Sequence, residues 1–287
     1  MTKGDIYHKK TLEKILEDGF LDENPRPKYA DGTPAHTLSI NHVIQQYDIS
    51  KGECPLETLR PIAWKSAVKE ILWIYQMQSN KLEDLHNLNI RYWDEWDIGD
   101  GTIGCRYGAT IKRHDLMNKL LKDLKENPFH RRHIMCMWQE DDFSDETGGT
   151  TKGLNPCCYE TIWNVRKDKS GKLYLDMLMN QRSSDYETSC AINEIQYIAL
   201  LLMVARECNM IPGIFTHVME NVQIYDRHVE QVKQITKRNS VSCHPQLKLK
   251  ENNKGFYDFT IDDFELIDYP LDKIKEQNPQ LKFELGI

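Results

Sequence analysis

The chain has 287 residues and a formal net charge of -7, from 37 Lys and Arg against 44 Asp and Glu. A chain of this length can bury a large core, and its acidic balance excludes a general nucleic-acid binder, which needs a basic surface. The longest apolar run, Ile198 to Ala205, is far shorter than the roughly 20 residues that cross a bilayer, and the N-terminus lacks the apolar segment of a signal peptide. We therefore expect a cytoplasmic protein.

The eight cysteines are scattered, with no Cys-x-x-Cys pair and no Cys/His knuckle. This spacing predicts free thiols and no metal site, and most of the thiols should be small buried hydrophobes. No Pro/Gly/Ser-rich linker divides the chain, and the acidic, Gly-rich stretch at residues 139–153 is interpreted as a loop. We expect a single domain over residues 1–287.

In the first half of the chain, hydrophobic periodicity predicts helices and strands in mixed order. Apolar residues at three- and four-residue spacing indicate helices, and alternation indicates strands. The predicted helices are residues 7–20, Trp64 to Met77, and Asp115 (as the N-cap) to Lys125, and the predicted strands are His36 to Ile44 and His133 to Trp138.

Strands cluster in the second half of the chain. A turn at Lys167 to Gly171 joins the first two as a hairpin, and Asp226 should cap a helix that starts near Arg227. The predicted strands are Cys158 to Arg166, Leu173 to Ser183, Ile214 to Tyr225 and Phe256 to Tyr269, with a very apolar helix at Ile192 to Cys208. This order predicts an α+β fold with a mixed sheet and packed helices.

Two charged features have a structural and a functional interpretation. Glu70 lies at the margin of the apolar stripe of its helix, where burial statistics favour a solvated carboxylate over one that leans into a cleft. Arg131 and Arg132 precede a strand, as surface cations or as a phosphate clamp, because guanidinium binds phosphate bidentately.

The stretch Pro156-Cys157-Cys158 is the most suggestive for chemistry. It places a thiol at the entrance of a strand, and Arg182 at the end of the next strand can fold back beside it. A free thiol is mostly protonated at neutral pH, and a neighbouring cation lowers its pKa. We therefore expect Arg182 to lower the pKa of Cys157 and activate it as a nucleophile.

Taken together, the motifs resemble the folate-dependent thymidylate synthases over nearly the whole chain. No single motif is specific, but nine of them in the same order are strong support. They are DGTPAHTLS at 31–39, KEILW at 69–73, WDEW at 93–96, GCRYG at 104–108, Arg131-Arg132, Pro156-Cys157, QRSSD at 181–185, Asn193 and IYDRH at 224–228.

The resemblance implies an α+β homodimer whose sheets pack back to back. It also implies reductive methylation of dUMP by 5,10-methylenetetrahydrofolate, which gives dTMP and dihydrofolate without a metal. The implied catalytic residues are Cys157, Glu70, Tyr107, Arg182 and Asp185. The implied substrate-binding residues are Arg26, Arg131, Arg132, Arg182, Ser183, Asn193, Gln223 and Tyr225, and the implied folate-binding residues are Trp93, Asp185, Ser189, Ile192 and Ile287.

Within that set, the resemblance implies specific roles. Cys157 adds to C6 of the pyrimidine, Glu70 organises proton transfer near the base, and Tyr107 assists removal of the C5 proton. Arg131 and Arg132 reach the phosphate in the partner subunit's site. The resemblance further implies that Arg182 contacts both the thiolate and the phosphate, and that Arg26 and Ser183 contact the phosphate. It also implies that Asn193 binds the edge of the base and that Tyr225 contacts the sugar. Asp185 and Trp93 would face the folate.

Five positions depart from the family pattern. Ser189 and Ile192 replace a glycine and a phenylalanine beside the folate, and Gln223 replaces a histidine near the sugar. Cys158 and Ile162 replace the histidine and glutamine that are commonest in the family. Alternatives to thymidylate synthase activity therefore stay open. One is a pyrimidine-nucleotide (dUMP or dCMP) 5-hydroxymethylase of the same fold, in which water captures the exocyclic carbon, and another is an inactive nucleotide-binding homologue.

Overall fold

A computed structural model describes residues 1–143 and 153–286 of the chain. Most of the predicted loop at 139–153 and the predicted folate contact Ile287 lie outside the described residues.

A mixed sheet of seven strands forms the centre of the fold, in the order β1-β2-β7-β5-β4-β3, with β6 beside β7. Neighbouring strands are antiparallel, except that β5 and β6 run parallel to β7. A separate antiparallel pair, β8-β9, lies outside this sheet. The strands are β1 Phe20–Leu21, β2 Thr37–Asp48, β3 Ile134–Cys136, β4 Cys158–Lys167, β5 Leu173–Gln181, β6 Ser184–Asp185, β7 Ile211–Tyr225, β8 Gln246–Leu249 and β9 Phe264–Ile267.

Helices precede, interrupt and follow the strands, which makes the fold α+β as predicted. They are α1 Lys3–Asp18, α2 Trp64–Ile71, α3 Leu82–Asn87, α4 Gly108–Arg113, α5 Leu116–Glu126, α6 Tyr186–Glu207, α7 Val229–Thr236 and α8 Leu271–Gln277. A π-helical turn, Leu72–Gln76, continues α2.

Helix α6 organises the core because it packs on β5 and β7 on one side and on α2 on the other. It is long and apolar enough to cross a membrane, yet 78% of its most apolar window is buried inside the fold, as in the core helix of a globular protein. The helix was predicted from Ile192, but it starts at Tyr186. Its first turn therefore contains polar residues that did not fit an apolar pattern.

Several predicted boundaries were wrong for local reasons. Helix α1 starts at Lys3 rather than Tyr7, because Thr2 and Asp5 form a capping box: each side chain accepts the other's backbone N–H, at 2.9 and 2.8 Å. Asp115 occupies the N-cap of α5 in the left-handed region (φ 52°), but its side chain caps no backbone N–H. The strand predicted at His133 to Trp138 is reduced to Ile134–Cys136.

The segment Phe256 to Tyr269 is the largest correction to the predicted elements. Only β9, Phe264–Ile267, is a strand, and the preceding residues form two 3₁₀ turns, Phe256–Asp258 and Ile261–Asp263. Asp263 accepts the backbone N–H of Thr260 at 2.7 Å. The alternation of apolar and acidic residues therefore reflects turns capped by aspartates rather than an extended strand.

Candidate active site

Cys157 lies at the entrance of β4, and its side chain differs from that of the neighbouring Cys158 in how deeply it is buried. Cys157 is half-buried, whereas Cys158 is 4% exposed and belongs to the main hydrophobic core. Neighbouring strand residues point to opposite faces of a sheet, so only one of two adjacent thiols can face outward. All eight cysteines are free, and five are buried, as predicted: Cys54, Cys158, Cys190, Cys208 and Cys243.

The Arg182 guanidinium holds the turn that carries Cys157. Its Nε donates to the carbonyl of Pro156 at 3.0 Å, and its Nη2 donates to the carbonyl of Asn155 at 2.9 Å. The same Nη2 is 3.9 Å from Cys157 Sγ, and the guanidinium carbon lies 5.4 Å from the centre of the Trp138 ring. The arginine is thus fixed beside the thiol before any ligand binds.

Tyr107 holds the thiol from the other side. Its hydroxyl oxygen accepts the backbone N–H of Cys157 at 3.0 Å, and its ring packs edge-on against Trp93 at 5.2 Å. Tyr107 has a positive φ of 49°, a backbone conformation that is costly for a bulky residue. Such strain persists only where the surroundings over-determine it, and it concentrates at functional sites.

The pKa of the Cys157 thiol is raised, contrary to the expectation from its arginine. Burial is the largest cause, and it outweighs the opposing effects of Arg182 and the Tyr107 hydroxyl. The guanidinium is 3.9 Å away and already donates to two carbonyls, so it offsets only part of the cost of burying a thiolate. In the ligand-free chain the thiol is therefore held protonated.

Glu70 is buried, with 5% exposure, so its interpretation as a solvated carboxylate is wrong. The Tyr92 hydroxyl donates to its Oε2. Burial raises the pKa of Glu70, and Tyr92, Trp93 and Gln196 oppose that rise. A carboxyl whose pKa moves up toward neutrality can give and take a proton at working pH.

The first turns of α6 carry the predicted base and folate contacts. Asn193 is half-buried, and its amide contacts Gln181 and Gln196. Burial raises the pKa of Asp185 to about 7, and Thr188 opposes the shift. Asp185 Oδ1 is buried without a hydrogen-bond partner among the described residues. Such an orphan acceptor fits a ligand that donates.

Of the two substitutions beside the expected folate, Ser189 is satisfied within the helix, because its hydroxyl donates to the Asp185 carbonyl at 2.8 Å. Ile192 is half-buried and packs against the main core. Trp93, predicted to face the folate, is 6% exposed and is packed between Trp73 and Tyr107.

The side chains predicted to bind the phosphate make fewer contacts with the rest of the protein than those around the thiol. Arg26, Arg131 and Arg132 are exposed, and their side chains have no hydrogen-bond or ion-pair partner within 1–143 and 153–286. Ser183 is half-buried, and its carbonyl accepts from Gln181. Arg26 is near enough to Tyr225 to oppose the rise that burial causes in the tyrosine's pKa.

The predicted sugar contacts lie on β7, where the C-terminal segment covers one of them. The Tyr225 hydroxyl donates to the Gly286 carbonyl at 3.1 Å. A Cβ at Gly286 would lie 2.6 Å from Ala35 Cβ and 2.8 Å from the Tyr225 ring, so the close approach requires glycine. Gln223 is half-buried and pairs with Ser39 on β2 and with Asp185 on β6.

Several residues of this region were not assigned a role from the sequence. Tyr92 donates to Glu70, Trp138 lies against Arg182, and Gln196 and His217 form a hydrogen-bonded set behind Asn193 with Gln181, which the sequence showed only as part of a motif. These residues come from distant parts of the chain, so no spacing relates them.

Two groups of side chains among the described residues could offer ligands to a metal ion. Within each group the potential ligand atoms lie within 4.8 Å of one another. The groups are Asp123, His130 and His133, and Cys190, Glu194 and His217. Neither group includes Cys157 or its contacts.

Comparison with known proteins identifies the family of the chain. The family model described as thymidylate synthase matches residues 6–281. The chain is 45% identical to the thymidylate synthase of Streptococcus pneumoniae (strain 70585) and 44% identical to that of Streptococcus sanguinis (strain SK36), over the full length of both partners in each case. Its fold is similar to that of thermostable thymidylate synthase A from Bacillus subtilis, with a TM-score of 0.86, 34% identity and 99% of each chain covered.

Proposed function

The chain belongs to the thymidylate synthase family, and from that premise we propose how its own residues perform the family's reaction. The reaction is the reductive methylation of dUMP at C5 by 5,10-methylenetetrahydrofolate, which gives dTMP and dihydrofolate. One observation carries the proposal: Cys157 Sγ is half-buried at a strand entrance, 3.9 Å from Arg182 Nη2, with its backbone N–H held by Tyr107.

In the proposed first step, the Cys157 thiol gives up its proton to solvent, its sulfur adds to C6 of the pyrimidine, and the C5=C6 electron pair moves toward C5 and O4, which makes C5 an enolate-like nucleophile. Arg182 stabilises the thiolate as it forms, because its guanidinium is already in place and needs no reorganisation. The raised pKa of the free thiol keeps it protonated until substrate is bound, which limits side reactions of a reactive sulfur.

Glu70 is the proposed proton carrier near the base. Its burial and its contact with Tyr92 hold one carboxyl oxygen in a fixed position. Tyr107 assists removal of the C5 proton, since its hydroxyl is adjacent to the Cys157 backbone.

The reduced folate supplies the one-carbon unit and the hydride. The orphan Oδ1 of Asp185 is the acceptor that we assign to the donor edge of its ring system, with Trp93 as a wall of the same region. Ser189 and Ile192 would border the folate, and they replace the family's glycine and phenylalanine.

For dUMP, we assign Asn193 to the base edge, Gln223 and Tyr225 to the sugar, and Arg26, Arg182 and Ser183 to the phosphate. Arg131 and Arg132 complete the phosphate site of a partner subunit. Their exposure without partners among the described residues supports a role outside their own subunit.

We further propose that the chain acts as a homodimer through the outer face of its sheet. Apolar side chains remain on that face: Ile44 is 62% exposed and Ile134 is 51% exposed. A dimer that joins two such faces would bury them.

The proposal also treats residues 1–287 as one catalytic domain, since strands between residues 20 and 225 already belong to one sheet. The free cysteines favour the reducing cytoplasm.

The activity test incubates the protein with dUMP and methylenetetrahydrofolate and follows dihydrofolate absorbance together with the mass of the nucleotide. We expect dihydrofolate and dTMP in equal amounts. Hydroxymethyl-dUMP with tetrahydrofolate would instead identify a hydroxymethylase, and tight dUMP binding without turnover would identify an inactive homologue.

The shared site is tested with mixed dimers. One subunit carries Cys157→Ser, and the other carries Arg131→Glu with Arg132→Glu. If the arginines act across the interface, the mixed dimer regains one working site although each parent dimer is inactive. If they act within their own subunit, the mixed dimer stays inactive.

A further inference from the structure

A chain of buried amides and one histidine lies directly behind Asn193. His217 Nε2 is 2.8 Å from Gln181 Oε1, and Gln181 Nε2 is 3.2 Å from Asn193 Oδ1. Asn193 Nδ2 then donates to Gln196 Oε1 at 3.1 Å. His217, Gln181 and Gln196 are each at most 2% exposed. The three come from β7, β5 and α6, so the chain joins the sheet to the helix that carries Asn193.

The direction of these hydrogen bonds is fixed by a backbone carbonyl. Gln181 Nε2 donates to the Ser183 carbonyl at 2.9 Å, and a carbonyl oxygen can only accept. The Gln181 amide therefore points its nitrogen to Ser183 and Asn193 and its oxygen to His217. His217 must in turn donate from Nε2, because two acceptors face to face would repel each other.

Glu194 holds the histidine in that state. Its Oε1 is 3.1 Å from His217 Nδ1, and both side chains are buried. One proton lies between these two atoms, on the imidazole or on the carboxyl. In both cases Nε2 keeps its own proton, so the tautomer that Gln181 requires is maintained.

The consequence reaches the substrate through Asn193. Its Oδ1 accepts from Gln181, whose nitrogen is directed by the Ser183 carbonyl, so a rotation of the Asn193 amide by 180° would place two N–H groups in contact. Uracil presents N3–H as a donor and O4 as an acceptor, whereas cytosine presents the opposite pattern. A rotatable amide could serve either base, and a locked one serves only one of them.

We propose that His217 is a positioning residue that determines base selectivity: its N–H holds the oxygen end of the Gln181 amide while the Ser183 carbonyl holds the nitrogen end, and the amide so held keeps Asn193 in the orientation that reads uracil and rejects cytosine. This inference rests on the proposed role of Asn193 as the base reader. It assigns to His217 no contact with substrate.

The test compares His217→Phe, which cannot donate, with His217→Gln, whose side-chain nitrogen can replace Nε2 as donor. We expect the phenylalanine variant to bind dUMP about tenfold more weakly and to lower the dUMP/dCMP affinity ratio about tenfold, the worth of one hydrogen bond of about 1.4 kcal/mol. The glutamine variant should restore most of the wild-type ratio. His217→Met provides a second variant without a donor if the phenylalanine chain does not fold.

Tyr47→Phe is the matched control. The Tyr47 hydroxyl contacts Gln45 at 3.0 Å and the far oxygen of Glu194 at 3.4 Å, so its loss disturbs the same buried region without changing the Gln181 or Asn193 contacts. We expect its dUMP/dCMP ratio to stay at the wild-type value.

The binding ratio is measured by calorimetry and does not depend on turnover. Suppose that the wild-type protein turns over dUMP and that a folded His217→Phe or His217→Met variant keeps the wild-type dUMP/dCMP affinity ratio. That result would overturn the inference and leave the proposed function standing. If the wild-type protein does not turn over dUMP at all, the proposed function fails first.

Discussion

Two buried polar regions of the molecule contain similar residue types but differ in where the partners of their charged groups lie. The first is an ionic cluster in which Glu187, at the start of helix α6, meets His8, Glu57 and Arg60. His8 Nε2 lies 3.0 Å from Glu187 and 3.2 Å from Glu57, and Arg60 Nε lies 3.0 and 3.1 Å from the same two carboxylates. All four side chains are at most 6% exposed. Each of the two carboxyl groups faces both His8 and Arg60, so the ionic partners of this cluster lie inside the fold.

The thiol pocket, formed by Cys157, Arg182, Tyr107 and Glu70, does not pair its charged groups with each other in the same way. Within the part of the chain that the structure describes, its arginine donates to two carbonyls, lies beside the thiol and has no carboxylate partner. Its carboxylate contacts a tyrosine rather than a cation. The difference teaches that buried charge stabilises the fold where its partners are internal, and is available for chemistry where a partner must come from the substrate.

The sharpest test of the thiol pocket is Cys157→Ser. We expect turnover to fall about 10⁴-fold or more, because a serine hydroxyl is a far weaker nucleophile than a thiolate, while dUMP affinity stays largely intact. The measurement is steady-state kinetics together with dUMP binding. Cys158→Ala is the control and should retain turnover, since Cys158 faces the core. Full activity in the serine variant would reassign the nucleophile.

A substitution in the ionic cluster should lower the free energy of unfolding and leave kcat unchanged. Arg60→Met leaves two buried carboxylates with one histidine, and we expect a loss of about 3–5 kcal/mol in the free energy of unfolding. Urea unfolding measures the loss, and kcat of the folded fraction should be unchanged. Lys14→Met removes an exposed ion pair with Asp18, which solvent screens, and should leave the free energy of unfolding close to the wild-type value. Equal losses in both variants would contradict the distinction.

Tyr107→Phe tests whether the support of the thiol is functional. It leaves the Cys157 backbone N–H without its acceptor, which costs about 1–3 kcal/mol, so we expect kcat to fall roughly 10- to 100-fold. Tyr75→Phe is a matched control, because the buried Tyr75 hydroxyl donates to Tyr197 and not to the thiol site. Its kcat should stay within about twofold of wild type. A similar fall in both would indicate a general loss of packing.

The smallest expected effect is the pH dependence of the ionic cluster. Burial opposes charge on His8, but Glu57 and Glu187 outweigh it and raise the pKa of His8 above 6.5. A raised pKa means that its stabilisation is complete below pH 6.5 and is lost as pH rises through the folded-state value. Relative to His8→Asn, wild type should therefore lose on the order of 1 kcal/mol of stability above that value.

Unfolding curves at several pH values between 6 and 9 measure this difference. His42→Asn is the control, because His42 is exposed and its partner Glu220 is on the surface. A wild-type advantage over His8→Asn that is constant with pH would show that the cluster does not titrate.

Much of the fold could be predicted from local patterns. The hairpin of β4 and β5, the long strand β7 and the helix beginning at Trp64 follow from alternation, turn residues and helical spacing. Predictions failed where polar side chains set the boundaries, as at Thr2 and Asp263, because a capping hydrogen bond leaves no trace in hydrophobic periodicity. The candidate nucleophile could be proposed from the sequence because a proline and two cysteines stand together before a strand.

The sequence by itself determined the family, the α+β class and the identity of the chemical groups, because these depend on motifs and periodicity along the chain. Only the tertiary structure decided which groups are buried and what they face. It buried Glu70, kept the Cys157 thiol protonated despite Arg182, and placed His217 behind Asn193. Burial and hydrogen-bond direction depend on residues brought together from distant elements, and they set the pKa values and orientations on which the reaction depends.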